Sequence, residues 1–419
     1  MSDQAAIPYL APDEPSRMPA PGPVGRGLAL AMSGGGARAA YQMGVIRGIM
    51  RNHPEFAPTI LTGVSAGAIN AAYLANHIGS FTEAVSGLGR LWRHLRTEHV
   101  FHVTGPSIAR SGLGWARRLL SGGSKSSRKA QALLDATPLR ELLERELRSG
   151  DGLVTGIDTN IASGRLDAVS ITASSYTTGQ SVTWVQGRDV EAWDRPNRRA
   201  VQTQIGPEHV MASTALPFFF PAVQISHPQF GDGWYGDGGI RLTAPLSPAL
   251  HLGARKILAV STRYGRSAEE ADRPLIDDYP PPAQILGVIM NSIFLDLLDQ
   301  DAQVLRRINT LLEAWPDGKP GADPHAGFRP VKLLVLRPSE DLAGLATEFE
   351  PNLPPMFRFL MRGLGVRETR SPDWLSMLLF EPEYISRLTE IGEADAATFA
   401  DDVAEFLAAD DGDELATDL

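Results

Sequence analysis

Within the first 75 residues of the chain, two apolar runs each break into a glycine-rich turn and then into a helix-forming stretch. Gly27 to Met32 (GLALAM) ends at Ser33-Gly34-Gly35-Gly36, and Arg38 to Met50 follows with apolar residues at helical spacing. Thr59 to Thr62 (TILT) repeats the pattern through Gly63-Val64-Ser65-Ala66-Gly67 and the small-residue run Ala68 to Ala75. Successive strand-turn-helix units predict a mostly parallel sheet covered by helices, so the expected class is α/β. Further strands are expected at Ala168 to Ala173, Val182 to Val185, Ala222 to Ile225, Lys256 to Thr262 and Val331 to Leu336. The last two are continuous apolar runs of the kind that fill buried strands. Pro281 to Ala314 reads as one long helix, and Asp341 to Leu407 as helices interrupted by prolines.

Length and composition set the frame. The 419 residues are 43% hydrophobic and 21% charged, as in a soluble globular protein. There is no cysteine, which excludes disulfides, thiolate metal sites and cysteine nucleophiles and suits a reducing compartment; a cytoplasmic location, peripheral at a membrane, is expected. Residues 1–26 carry six prolines and no apolar segment of signal-peptide type, predicting a disordered leader. The longest nearly apolar stretch, Ile285 to Leu295, contains Asn291 and Ser292 and falls short of the ~20 residues that cross a bilayer, so no transmembrane span is expected. The net charge of -10 arises from Glu393 onward, where ten acidic residues occur without Lys or Arg. That end is expected to be a solvated helix with a frayed tail. A balanced body with an acidic end argues against nucleic acid as a partner. Between His99 and Leu134 there is no acidic residue; Arg110, Arg117, Arg118, Lys125, Arg128 and Lys129 are interleaved with Leu113, Trp115, Leu119 and Leu120. This basic amphipathic pattern suits either a solvated insertion or peripheral membrane contact through 107–130.

The turns carry the chemistry. A serine on a sharp turn between strand and helix is exposed to substrate, with Gly63 and Gly67 allowing close passage of backbone; Ser65 is thus a candidate nucleophile for acyl transfer. Successive amides at Gly34, Gly35 and Gly36, opening a helix, can cradle an oxyanion, while Arg38 can fix the turn or add positive charge. The competing dinucleotide fingerprint fails, because its sixth position is Ala39 and only Glu55, in a loop, stands near the required acid position. For the base, Asp237 in Gly236-Asp237-Gly238-Gly239 is preferred; Asp232 is a nearby rival, and His251 and His325 are the histidines that follow it.

In order along the chain, the glycine-rich segment Gly34-Gly35-Gly36-Ala37-Arg38, the elbow Gly63-Val64-Ser65-Ala66-Gly67 and Asp237-Gly238-Gly239 resemble the patatin-like phospholipase family. So do Ala212 to Pro221 and the strand Lys256 to Thr262, the match running from about Gly27 to Tyr264. The resemblance implies a three-layer patatin-like α/β fold and a Ser-Asp dyad in which Ser65 is the nucleophile and Asp237 the base. It also implies an oxyanion hole from the Gly35 and Gly36 amides aided by Arg38, and no metal or organic cofactor. Ala39 departs from the family's usual glycine. The implied activity is hydrolysis of fatty acyl esters, of phospholipase A or lysophospholipase type. Hydrolysis of a thioester, short-chain lipid or polyhydroxyalkanoate, and an inactive lipid-binding protein, are the alternatives. The expected organisation is a leader at 1–26, a catalytic domain at 27–340 and a helical C-terminal extension at 341–419. The extension's apolar clusters Met356 to Met361 and Trp374 to Phe380 are read as helical core or as a membrane-docking or acyl-covering lid.

Overall fold

The computed structural model describes residues 27–102, 132–147, 154–294, 297–314 and 329–408. The leader, the basic segment 107–130, His325 and the last acidic residues lie outside that description.

Among the described residues the ten strands are β1 (Leu28–Met32), β2 (Ile60–Val64), β3 (Ala168–Ser175), β4 (Ser181–Gly187), β5 (Asp194–Arg195), β6 (Arg198–Gln202), β7 (Val223–His227), β8 (Gly231–Asp237), β9 (Lys256–Val260) and β10 (Lys332–Leu336). They form one mixed sheet in the order β10-β9-β1-β2-β3-β4-β6-β5, with the hairpin β7-β8 joined to β3 through β8. Neighbours from β10 through β3 run parallel, while β4 and β8 each pair antiparallel with β3.

The helices that frame the site, numbered as introduced, are α1 (Ala40–Asn52), α2 (Ala66–Asn76), α3 (Phe81–His94), α4 (Thr137–Leu147), α5 (Pro207–Ser213), α6 (Pro282–Phe294) and α7 (Leu297–Glu313). Then come α8 (Leu342–Phe349), α9 (Pro355–Gly363), α10 (Asp373–Leu378), α11 (Pro382–Thr398) and α12 (Ala400–Ala408). Strand periodicity divides the core into two layers. Leu30 and Met32 of β1 face α1, α2 and the C-terminal helices, whereas Ala29 and Ala31 face a smaller cluster with Leu298, Ala302 and Leu305 of α7.

The C-terminal helices belong to the larger core. At the crossing of α1 with α11 the backbones nearly touch: a Cβ on Gly44 would lie 2.1 Å from the Thr389 carbonyl oxygen, and one on Gly392 would lie 2.3 Å from that of Tyr41.

The helix expected at 281–314 is described as α6 and α7, on either side of residues 295–296. Two expectations are corrected here. Glu393 and Asp395 are not solvated: Glu393 pairs with Arg47 and Arg51, and buried Asp395 accepts from the Tyr41 hydroxyl and the Ser339 N–H, because α11 lies flat on α1. Finally, Pro282–Glu313 is, by length and composition, apolar enough to cross a membrane, although it runs across 295–296. Its second half is nonetheless held on the sheet, with Leu298, Ala302 and Leu305 buried and Asp299 paired to Arg263 and Arg337.

Candidate active site

Register brings the functional segments together. Met32 of β1 pairs with Gly63 of β2, Val64 pairs with Thr172 of β3, and the next residue of β3, Ala173, pairs with Asp237 at the end of β8. Ser65, the residue after Val64, therefore lies in the same row as Asp237, at the carboxyl ends of the parallel strands, where open α/β sheets hold their ligands.

The Ser65 backbone is strained, with φ 54 and ψ -129, and opens α2. Close packing enforces this turn: a Cβ on Gly63 would meet the Gly67 carbonyl oxygen at 2.3 Å, and one on Gly67 would meet that of Met32 at 2.3 Å. The Ser65 N–H donates to Ser213 Oγ at 2.9 Å, and the Ser213 hydroxyl donates to the Thr172 carbonyl at 2.6 Å. Ser213 thus anchors the elbow to β3, a role invisible in its local sequence.

The Ser65 hydroxyl donates to Asp237 Oδ2 at 2.6 Å. Asp237 Oδ1 accepts from the Gly239 N–H at 2.9 Å, and the Asp237 carbonyl accepts from the Ser174 hydroxyl. The carboxyl is wholly buried, and desolvation pushes it up to about 7 against the smaller opposing effects of the Ser65 and Gly239 hydrogen bonds. Gly238 admits the strand-to-turn transition here, since a Cβ would come within 2.0 Å of the Thr172 carbonyl oxygen. A carboxylate poised near neutrality and bonded to a strained serine can take its proton.

Gly35 (φ 144) and Gly36 (φ 58) turn sharply after β1 and line the same cavity as Ser65. Gly34 lies beneath the serine instead, where a Cβ would approach the Ser65 Cβ to 3.0 Å. The Arg38 guanidinium is committed elsewhere: it is buried, donating from Nε to Ser376 Oγ at 2.6 Å and from Nη2 to Asp373 Oδ1 at 2.6 Å. Of the two roles open to Arg38, the structure supports fixing the turn; direct charge donation to an oxyanion is corrected on this geometry.

The cavity is walled by Leu91 and Leu95 near the end of α3, Leu142 of α4, Phe220, and Met377, Leu378 and Phe380 from the C-terminal region. Its wall residue Trp92 begins a buried chain: the indole N–H donates to Asn70 Oδ1, Asn70 donates to Gln42 Oε1, and Gln42 donates to the Ser33 carbonyl, at 2.7, 2.9 and 2.8 Å. Sequence reasoning missed this brace of the glycine-rich turn. A polar residue at an otherwise apolar helix position, Gln42 on α1 and Asn70 on α2, is the signal that could have pointed to it.

The rival groups lie apart. Asp232 is exposed on the β7-β8 hairpin and accepts from the Ser226 hydroxyl, and the His251 ring stacks on Trp193 at 4.4 Å. Among the described residues, no group of three His, Asp or Glu side chains is arranged to hold a metal ion.

A family model described as patatin-like phospholipase matches residues 30–250. That span is more than half of the 419 residues, and the chain belongs to this family. Solved structures similar to this chain include VipD from Legionella pneumophila, with 14% identity and a TM-score of 0.33 over 90% of this chain and 67% of that one. Human GIVD cytosolic phospholipase A2 in complex with methyl gamma-linolenyl fluorophosphonate is another, with 15% identity and a TM-score of 0.43 over 91% of this chain. The match covers 59% of the human chain. No curated protein matches by sequence.

Proposed function

We propose that the protein hydrolyses fatty acyl esters of phospholipids or lysophospholipids through Ser65 and Asp237. The 2.6 Å hydrogen bond from the strained Ser65 to a desolvated carboxylate, on the wall of an apolar cavity, carries the reading. Asp237 accepts the Ser65 proton as Oγ bonds to the ester carbonyl carbon. The resulting oxyanion is met by the Gly35 and Gly36 amides, aided by the N-terminus of α2. The alcohol leaves with the proton from Asp237, and an acyl-enzyme remains. Water then attacks the acyl carbon, giving its proton to Asp237. The fatty acid departs, and the proton returns to Ser65. The acyl chain lies along the leucine and phenylalanine walls. Action in the cytoplasm, peripheral to a membrane, fits this substrate class.

Labelling with a fluorophosphonate probe tests the nucleophile. The wild type should be labelled, Ser65→Ala should not, and only the wild type should release fatty acid from mixed phospholipid. Well-folded wild type that stays unlabelled with lipid present would contradict the assignment.

A further inference from the structure

We propose that Thr262, two residues beyond β9, is a positioning residue for the oxyanion donor: its hydroxyl sets which way the peptide joining Gly34 to Gly35 faces. The Thr262 side chain is wholly buried, and Oγ1 donates to the Gly34 carbonyl at 2.6 Å. A Cβ on Gly35 would lie 2.4 Å from the same Oγ1, so the turn rests directly on this hydroxyl. Gly35 lines the reaction cavity on its Ser65 side, whereas Thr262 lines a second cavity together with Arg38, Asn291 and Asp373. The support is itself anchored. The Ser261 N–H donates to the Leu336 carbonyl of β10 at 2.9 Å, and the Val260 carbonyl accepts from both the N–H and the hydroxyl of Ser33.

Peptide planarity carries the consequence. In a trans peptide the carbonyl oxygen and the following N–H point in opposite directions. Holding the Gly34 oxygen on Thr262 therefore turns the Gly35 N–H away from Thr262, toward the cavity that Gly35 lines. Among the described residues nothing accepts a hydrogen bond from that N–H, as a donor kept for a developing oxyanion requires. Both residues of this peptide are glycines, which adopt φ of either sign, so the backbone alone would tolerate the flipped orientation and lose the donor. The hydroxyl opposes the flip, because it would break a hydrogen bond between two buried groups and leave both unsatisfied. This role deepens the Ser65 acyl hydrolase reading and rests on it.

Kinetics with a soluble p-nitrophenyl ester of a fatty acid, together with inhibition by an alkyl trifluoromethyl ketone, test the role. The ketone carbon bonds to Ser65 Oγ, the serine proton passes to Asp237 and the ketone oxygen becomes an oxyanion, so the affinity of this adduct reads the donor directly. Thr262→Val keeps the shape and removes the hydroxyl. Its kcat should fall about tenfold to a hundredfold with KM within about twofold, and the ketone affinity should fall by a similar factor. Thr262→Ser restores the hydroxyl and should return both to within about threefold of the parent. Thermal midpoints report folding, and Thr262→Ala supplies the comparison with serine where the valine variant is not folded. Unchanged kcat and ketone affinity in a folded variant without the hydroxyl overturn the proposal, as do an equal loss in Thr262→Ser and a loss confined to KM. Fluorophosphonate labelling separates the two readings. An unlabelled parent removes the Ser65 assignment and this role with it, whereas a labelled parent whose hydroxyl-free variants keep full kcat removes this role alone.

Discussion

In the proposed mechanism Asp237 joins pH to both turnover and stability. Its carboxyl is moved from an ordinary 3.8 to about 7, chiefly by burial. Only the carboxylate can take the serine proton, so kcat/KM should climb through about pH 7 and level above it. A rise centred near pH 4 would mean that the carboxyl is hydrated during catalysis. Stability runs the other way. Between those two values the folded chain keeps a proton that the unfolded chain releases, so stability falls as pH rises through that window. Above about pH 7 the folded state bears the full cost of a buried carboxylate. Asp237→Asn should therefore abolish turnover yet melt higher than the parent at about pH 8, by ~1–3 kcal/mol, with the gap closing toward pH 4. Calorimetry at the two pH values checks it, and an unchanged gap would remove desolvation as the cause.

Among the elements, crossing geometry decides which glycines can change. At Gly44 a Cβ would meet the Thr389 carbonyl of α11 at 2.1 Å, whereas at Gly89 of α3 it would meet only the Arg47 side chain, at 3.7 Å. The same replacement should then have opposite signs. Gly89→Ala should gain up to ~1 kcal/mol from helix propensity, and Gly44→Ala should lose ~1–3 kcal/mol as α11 is pushed off α1. Denaturant melts of the two variants decide it, and equal effects would show that the crossing yields freely. Sequence could not distinguish these positions, because the contact joins residues several hundred apart. What sequence made legible was local: β1, β2, β9 and β10 as apolar runs, and the serine, glycine and aspartate turns as motifs. Strand β8 (GDGWYGD) is not among the expected strands, because its glycines and Asp232 break the apolar pattern. The brace from Trp92 to Ser33 and the tether from Arg38 to Asp373 need partners that only the fold supplies.

For the whole molecule, the family match ends at residue 250, yet the cavity is closed by residues near 380. Met377, Leu378 and Phe380 are part of the wall, and a Cβ on Gly36 would lie 2.1 Å from the Met377 carbonyl oxygen, so the last helices press directly on the glycine-rich turn. The Arg38-Asp373 pair fixes that contact from two sides, with Asn291 as a third partner. Removing one member of a buried pair leaves the other charge without compensation, which costs ~3–5 kcal/mol. Asp373→Ala should therefore be strongly destabilised. Replacing both with apolar residues, Arg38→Met with Asp373→Leu, removes the stranded charge and should recover most of that stability. Probe labelling at Ser65 should nevertheless remain slow in the double variant, because the glycine-rich turn has lost its tether while the core has been restored. Recovery of both stability and labelling would show that the pair serves folding alone. Recovery of stability without labelling would identify the C-terminal helices as the structure that holds the oxyanion turn in place.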